Sequence, residues 1–157
     1  MTAFDRFSEL VLSLGQRWGI DTAAPITGFT VRFESGANSL VMLRLDDEET
    51  HVVLGVESSL PDQCKGALDS LDMRIFMLRR TYAARFGSET RYGWRSTSHR
   101  IAAFQSIPLA NASAENVSAI LAAISARLHA MKDVAALFTP PDNMLTGEER
   151  SGDNSHA

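Results

Sequence analysis

Residues 41–56, VMLRLDDEETHVVLGV, decide the fold. Both halves of this stretch place an aliphatic side chain at every second position, which predicts two strands that each bury one face. The acidic run at residues 46–49 is too charged to bury and predicts the turn between them. Because the connection is short, the two strands are expected to pair antiparallel. The aliphatic positions are Val41, Leu43, Leu45, Val52, Leu54 and Val56.

A third strand is predicted ahead of this pair. Phe29, Val31 and Phe33 alternate with more polar residues, and the sequence SGAN at residues 35–38 predicts the turn that follows. The three runs together predict an antiparallel meander. Its second face also carries apolar side chains, so that face is compatible with a covering partner. These side chains are Leu40, Met42 and Val53.

A first helix is predicted before the strands, because apolar residues recur at intervals of three and four between Ala3 and Trp18. Thr2 is suited to cap its start, and Gly15 or Gly19 is suited to end it. The apolar positions on its main face are Phe4, Phe7, Val11, Leu14 and Trp18.

A middle helix is predicted to open at Pro61, after Ser58 and Ser59 as candidate caps, and to stop at Gly87. It carries two apolar stripes and must therefore bury two sides. One side can cover the sheet, and in so small a domain the other can face a second copy of the chain. The first stripe is Leu68, Leu71, Ile75, Leu78 and Tyr82, and the second is Met73, Phe76, Met77 and Ala84.

The remaining sequence predicts a hairpin and a last helix. Alternation places the hairpin strands at residues 90–95 and 99–104, and Pro108 is expected to end the hairpin. Asn111 or Ser113 is suited to cap the helix. The core side of that helix carries Val117, Ile120, Leu121, Ile124, Leu128 and Met131.

The predicted order is α-βββ-α-ββ-α, which indicates an α+β fold with a twisted antiparallel sheet packed by helices. A chain of 157 residues fits a single core. We therefore expect one domain over residues 1–137. Residues 138–157 hold few apolar side chains and are expected to form a flexible polar tail.

The composition is that of a soluble globular protein, with 45% apolar and 22% charged residues. The single cysteine, Cys64, excludes an intramolecular disulfide and fits a reducing compartment. No signal peptide and no apolar run long enough to span a bilayer is visible. The sequence therefore predicts a cytoplasmic protein without membrane insertion.

The net charge of −4 hides a basic centre between acidic flanks. Residues 74–100 hold seven arginines and one acidic residue, whereas the segments before and after balance to −7 and −3. Arginines interleaved with aromatic residues suit single-stranded nucleic acid. They equally suit pairing with the domain's own acids or with a partner's, and net acidity opposes approach to a polyanion. A nucleic-acid-binding module that uses Arg74 to Arg100 is thus the minor alternative.

No pattern of catalytic or metal-ligating residues is visible. Cys64 lacks a neighbouring base, and the four histidines show no metal-ligand spacing. Asp69 and Asp72 lie three positions apart, where they are expected to face water or an arginine. The acidic run at residues 46–49 with His51 is interpreted as a solvated turn. We expect no enzymatic activity, no metal and no cofactor.

Five segments carry a resemblance to a known family: FDRF at residues 4–7, GFTVRF at 28–33, VVLGV at 52–56, the helix over residues 68–86, and IPL at 107–109. With the element order, the length and the acidic character, residues 3–137 resemble the class I type III secretion chaperones of bacteria. The resemblance implies a non-enzymatic homodimer without cofactor. It also implies that the dimer binds an extended N-terminal segment of an effector protein, keeps it export-competent and delivers it to the secretion ATPase.

The resemblance also implies two surfaces. The dimer interface is expected on the middle helix, and effector binding on exposed apolar residues of the first helix and the meander. The interface residues implied are Leu68, Leu71, Ile75, Leu78 and Tyr82, and the effector-binding residues are Phe4, Phe7, Val11, Leu40, Met42 and Val53. A regulatory or stress-response binding domain of the same fold is the main alternative function.

Overall fold

The structure is a computed structural model that describes residues 1–19, 30–34, 39–83 and 90–139. Its main elements follow the predicted order, so the α+β architecture is confirmed. These elements are α1 (Ala3–Trp18), β1 (Thr30–Glu34), β2 (Ser39–Leu45), β3 (His51–Ser59), a 3₁₀ helix (Asp62–Asp69), α2 (Leu71–Ala83), β4 (Arg91–Arg95), β5 (Arg100–Pro108), a short 3₁₀ turn (Leu109–Asn111) and α3 (Ala114–Leu137).

The five strands form one sheet in the order β1-β2-β3-β5-β4, and every neighbouring pair is antiparallel. Leu43 on β2 pairs with Leu54 on β3, which in turn pairs with Gln105 on β5. The predicted meander is thus present, and the later hairpin joins it through β5. Because side chains alternate along strands, this register sets which residues share each face.

The inner face of the sheet holds the core. The aliphatic positions of the deciding stretch alternate into it as predicted, since Leu43, Leu45, Val52 and Leu54 are fully buried. Helix α3 packs on this face against β3 and β5, and α1 packs on α3. The buried residues that α3 contributes are Val117, Leu121, Ile124, Leu128, Met131 and Ala135.

Helix α1 begins and ends as its sequence predicts. The hydroxyl of Thr2 accepts a hydrogen bond from the backbone N–H of Asp5 at 3.1 Å, and the Asp5 carboxylate accepts one from the Thr2 backbone at 2.8 Å. This reciprocal pair is a capping box. At the other end Gly19 takes a left-handed conformation with φ of 65°, which glycine adopts at little cost.

The middle helix departs from the prediction, which had one helix from Pro61 to Gly87. Asp62–Asp69 is a 3₁₀ helix, and α2 proper starts only at Leu71. Ser70 between them is extended, with φ of −71° and ψ of 125°, and its hydroxyl lies 3.4 Å from the backbone N–H of Met73. A serine side chain that caps a new helix start explains the break. Gly87 lies outside the described residues.

The second hairpin ends at Pro108, as predicted. β5 runs from Arg100 to Pro108, so it continues past the alternating residues at 99–104, and it pairs with β3 along its whole length. His99 has a positive φ of 51° in the turn and so precedes the strand. Ser113 is the cap of α3, because its hydroxyl accepts from the backbone N–H of Asn116 at 3.1 Å.

Candidate binding surfaces

Helix α2 has one buried side and one exposed apolar side. Met73 and Met77 are fully buried in the core, which agrees with one of the two predicted stripes. The other stripe reaches the surface. Its members and their exposed fractions are Leu71 at 69%, Ile75 at 38%, Leu78 at 54% and Tyr82 at 70%, and we call these four residues the α2 stripe.

Leu68 does not belong to this exposed stripe, which corrects its assignment to the dimer interface. It lies in the 3₁₀ helix, before the break at Ser70, and it is completely buried. A regular α-helix would place Leu68 on the same side as Leu71 and Ile75. Because the chain changes conformation at Ser70, that spacing no longer describes one face, and Leu68 packs into the core.

Two of the residues expected to bind an effector on α1 are also core residues. Phe7 is completely buried and Val11 is 1% exposed, so neither offers exposed apolar surface. The physical reason is that α1 uses its regular apolar stripe to pack against α3. Phe4, at the edge of that stripe, remains 39% exposed.

The outer face of the sheet carries the remaining predicted effector residues. Leu40, Met42 and Val53 are all half-buried there. Leu40 and Met42 line a groove of about 680 Å³ that also extends over β4 and β5, and we call it the sheet groove. Phe104 and Ala102 of β5 lie on the same face and line the groove as well.

Sequence reasoning missed the contribution of β5 to this face. Phe104 and Ala102 alternate with the buried residues Ile101 and Ala103, so the signal was present in the strand pattern. What the sequence lacked was the pairing partner of the strand. Phe104 pairs with Gly55 on β3, which pairs with Met42 on β2, and this register places Phe104 in the groove.

An ion pair crosses the groove between β3 and β5. Arg100 Nε donates to Glu57 Oε1 at 2.6 Å, and Arg100 Nη1 donates to Ser59 Oγ at 3.1 Å. Both charged side chains are about three-quarters buried, with exposed fractions of 27% and 21%. Two acceptors therefore hold the guanidinium in place, which makes Arg100 a fixed rather than a mobile charge.

The arginines between residues 74 and 100 do not form one surface. The Arg74 guanidinium contacts the 3₁₀ helix that precedes α2. Its Nε donates a hydrogen bond to the Leu68 carbonyl oxygen at 2.6 Å, and its Nη2 lies 3.9 Å from the Asp69 carboxylate. Arg80 lies over the ring of Phe76, 5.3 Å from its centre. Arg91, Arg95 and Arg100 instead follow the outer-face register of β4 and β5. The predicted basic segment is thus divided between a helix and a sheet face, and Arg85 lies outside the described residues.

The titratable groups show no catalytic arrangement in the described ranges. Cys64 is 4% exposed and sits in the core. Backbone and side-chain hydrogen bonds from Thr2 lower the pKa of Asp5. A hydrogen bond from Lys65 lowers the pKa of Asp62. Among residues 1–19, 30–34, 39–83 and 90–139, no three His, Cys, Asp or Glu side chains cluster as metal ligands would.

Several solved structures share this architecture. A chain of the HopA1–SchA chaperone–effector complex superposes with a TM-score of 0.63 at 12% identity, over 82% of this chain and 94% of that one. The Yersinia pestis type III secretion chaperone SycH, in complex with a fragment of YscM2, gives 0.59 at 10% identity, over 80% and 98%. This chain has the fold of the type III secretion chaperones.

A third solved structure shares this chaperone fold. A chain of the ExsC–ExsE complex gives a TM-score of 0.59 at 14% identity, over 90% of this chain and 99% of that one. No family model matches the sequence, and no curated protein matches it at a significant level. The similarity thus lies in the fold, at sequence identities of 10% to 14%.

Within the described part of the chain, no helix is both long enough and apolar enough to cross a membrane.

Proposed function

We propose that this chain is a homodimeric chaperone of type III secretion that binds the N-terminal segment of an effector protein. In this role it keeps the segment export-competent and delivers it to the secretion ATPase. The observation that carries the proposal is an apolar outer sheet face that stays half-exposed in a chain with the chaperone fold. An unfolded client segment needs such shallow apolar surface to bind without folding.

The α2 stripe supports the dimer. Four neighbouring apolar side chains on one helix expose 38% to 70% of their surface, which is unusual in a monomer that stays in solution. A two-fold axis beside α2 would bring the same stripe from two copies together, since such interfaces are self-complementary. Leu71, Ile75, Leu78 and Tyr82 are therefore the proposed interface residues.

Client binding is proposed on Phe4 and on the outer sheet face around Leu40, Met42 and Val53. β1 pairs only with β2 among the described residues and is one edge of the sheet. An extended client segment can continue a sheet at such an edge through backbone hydrogen bonds, while its apolar side chains enter the groove. Backbone pairing suits clients of differing sequence, because it reads no side chains.

The test is co-expression of the chain with each gene product encoded beside its own gene. We expect one of them to co-purify as a complex of two copies of this chain and one client, by light scattering after size-exclusion chromatography. Limited proteolysis should leave the client's N-terminal segment protected. A client bound through a folded C-terminal domain, or a chain that remains free with every candidate, would contradict the proposal.

The alternative functions predict different outcomes of the same experiment. A regulatory or stress-response domain would form the dimer yet bind no secreted protein. A nucleic-acid-binding module would retain nucleic acid, with an affinity that falls steeply as salt rises. The division of the arginines between α2 and the outer sheet face speaks against a continuous track for a nucleic-acid backbone.

A further inference from the structure

One row of residues crosses the whole outer face of the sheet at right angles to the strands. The register aligns Arg32 on β1 with Met42 on β2, Gly55 on β3, Phe104 on β5 and Arg91 on β4. An arginine therefore stands at each end, and the three central positions are apolar. Four strand spacings of about 4.8 Å separate the ends, which gives a span of about 19 Å.

The middle residue of this row, Gly55, lacks a side chain and is buried beneath its neighbours. A Cβ added at Gly55 would lie 3.5 Å from the Met42 methyl carbon and 3.7 Å from Phe104 Cβ, both ordinary contacts. Gly93, one position along on β4, would place a Cβ 3.8 Å from the ring of Phe104. Met42 and Phe104 thus close over Gly55 and form an apolar floor, on which a partner's apolar side chain can pack.

The charge of the groove is opposite to that of the chain. Its charged lining residues are Arg32, Arg95 and Arg100 against Glu57 alone, whereas the chain carries a net charge of −4. The Arg100–Glu57 ion pair cancels itself at 2.6 Å. Arg32 and Arg95 are exposed, and each makes no ion pair with another described residue. The groove therefore presents uncompensated positive charge around an apolar floor.

We propose that the sheet groove selects client segments that carry an apolar side chain at the centre and acidic side chains at both ends. This inference rests on the proposed chaperone function and specifies its client. The apolar anchor would lie on Met42 and Phe104. The carboxylates would reach Arg32, which lines the groove, and Arg91, which lies beside the groove at the other end of the row. Arginine suits this role because its planar guanidinium binds carboxylates with two hydrogen bonds.

A polyanion such as nucleic acid fits this groove less well. Its floor is apolar at Met42 and Phe104, and the carboxylate of Glu57 lies beside that floor. A phosphate backbone carries charge at every step and would have to pass both. An acid-flanked apolar segment places its charges only where the arginines are.

The preference can be measured by fluorescence anisotropy with the full-length chain and synthetic peptides. The probe is a labelled peptide with two central leucines and glutamates at both ends, and the matched control has lysines at the ends. We expect the glutamate peptide to bind at least tenfold more tightly at low salt, with an advantage that shrinks as salt rises, as charge complementarity requires. Equal affinity for the two peptides would overturn the inference.

Charge-reversal variants test whether the peptides bind along this row of residues. Arg32→Glu and Arg91→Glu should each weaken the glutamate peptide roughly tenfold and strengthen the lysine peptide, because both side chains are exposed and charge reversal changes the sign of the contact. Arg17→Glu, an equal change on exposed α1, should leave both affinities unchanged. If all three variants behave alike, the groove is not the binding site.

Substitutions of Gly55 test the same binding site without changing any charge. Gly55→Ala should bind normally, because the added methyl makes only ordinary contacts, whereas Gly55→Leu should displace Met42 and Phe104 from the floor and abolish peptide binding. Preferred binding of labelled oligothymidylate at the same arginines would overturn the inference in favour of nucleic acid. Client co-purification is a separate readout, so a chain that captures its client but prefers neither peptide would refute the acid preference and leave the chaperone function standing.

Discussion

The hydroxyl of Thr81 on α2 forms hydrogen bonds with both backbone polar groups of Tyr92 on β4. Thr81 Oγ1 accepts from the Tyr92 N–H at 3.0 Å and donates to the Tyr92 carbonyl at 3.2 Å. β4 is an edge strand, so these two groups would otherwise be free to pair with another strand. One side chain thus attaches α2 to the sheet and closes the β4 edge at this position.

Replacing Thr81 by valine keeps the shape of the side chain and removes both hydrogen bonds. We expect the free energy of unfolding to fall by about 1–3 kcal/mol, because two half-buried backbone groups lose their partners. The exposed edge should also make the protein aggregate faster. Urea denaturation and light scattering measure the two effects.

Thr81→Ser is the matched control, since it retains the hydroxyl and should remain close to the wild type in both measurements. If the serine variant is destabilised as much as the valine variant, the methyl group rather than the hydrogen bonds matters at this position.

The α2 stripe makes the oligomeric state testable. The double variant with Leu71→Asp and Leu78→Asp should convert the proposed dimer to a folded monomer. In a self-complementary interface, each copy would bury its carboxylates against those of the other copy. Both side chains are more than half exposed within one chain, so the fold itself should tolerate the changes. Sedimentation velocity reports the mass, and circular dichroism reports the fold.

Leu12→Asp on α1 is the control for these variants, because Leu12 is 51% exposed, close to the 54% of Leu78. It should leave the sedimentation coefficient unchanged. A doubly substituted protein that still sediments as a folded dimer would remove α2 from the interface.

Replacing the core leucine and the surface leucine near the break at Ser70 by alanine should change the free energy of unfolding by very different amounts. Leu68 is completely buried, so Leu68→Ala should cost about 2–5 kcal/mol of unfolding free energy. Leu71 is 69% exposed within the chain, and Leu71→Ala should change the stability of the monomer by less than about 0.5 kcal/mol. Denaturation in the Leu78→Asp background, where position 71 is still leucine, measures both changes.

The same contrast applies to α1. Phe7→Ala should cost about 3–5 kcal/mol, whereas Phe4→Ala should leave stability nearly unchanged and weaken client binding. Equal stability losses at the two positions would contradict the division of α1 into a core side and a binding edge.

Periodicity predicted the sheet well and the binding residues less well, for a physical reason. Alternation in the deciding stretch placed Val52 and Leu54 correctly, because one face of a strand is either buried or not. The spacing of Phe7 and Val11 shows that one side of a helix is apolar. It does not show whether that side is covered by the same chain or by a partner, and here α3 covers it.

The break at Ser70 and the charged row across the sheet were beyond sequence reasoning for different reasons. At Ser70 the backbone is extended, so one helix ends there and another begins. Serine favours such breaks because its side chain can hydrogen-bond to the backbone in non-helical conformations, in competition with a continuous helix. The alignment of Arg32 with Arg91 depends on the register of five strands, and adjacent positions in space are far apart in the chain. Residue type alone predicted the arginines but not their arrangement.

The turn between β2 and β3 gives a prediction about pH. The carboxylate of Asp46 accepts hydrogen bonds from the backbone N–H groups of His51 at 2.9 Å and Thr50 at 2.7 Å. These hydrogen bonds, of which the one from His51 has the larger effect, hold the pKa of Asp46 below its usual range. A lowered pKa means that the ionised carboxylate stabilises the folded state above the unfolded pKa, and that this contribution is lost as pH falls through the folded pKa.

Asp46→Asn should therefore destabilise the protein at neutral pH, and the difference from the wild type should shrink towards zero in acid, below the usual range of an aspartate. Urea denaturation across that pH range measures the difference at each point. Asp47→Asn is the control, because among the described residues Asp47 pairs with Arg44 alone, in an exposed ion pair at 2.9 Å, and such pairs contribute little. A constant difference between Asp46→Asn and the wild type at every pH would show that the amide disturbs the turn sterically, and that the charge on Asp46 does not stabilise it.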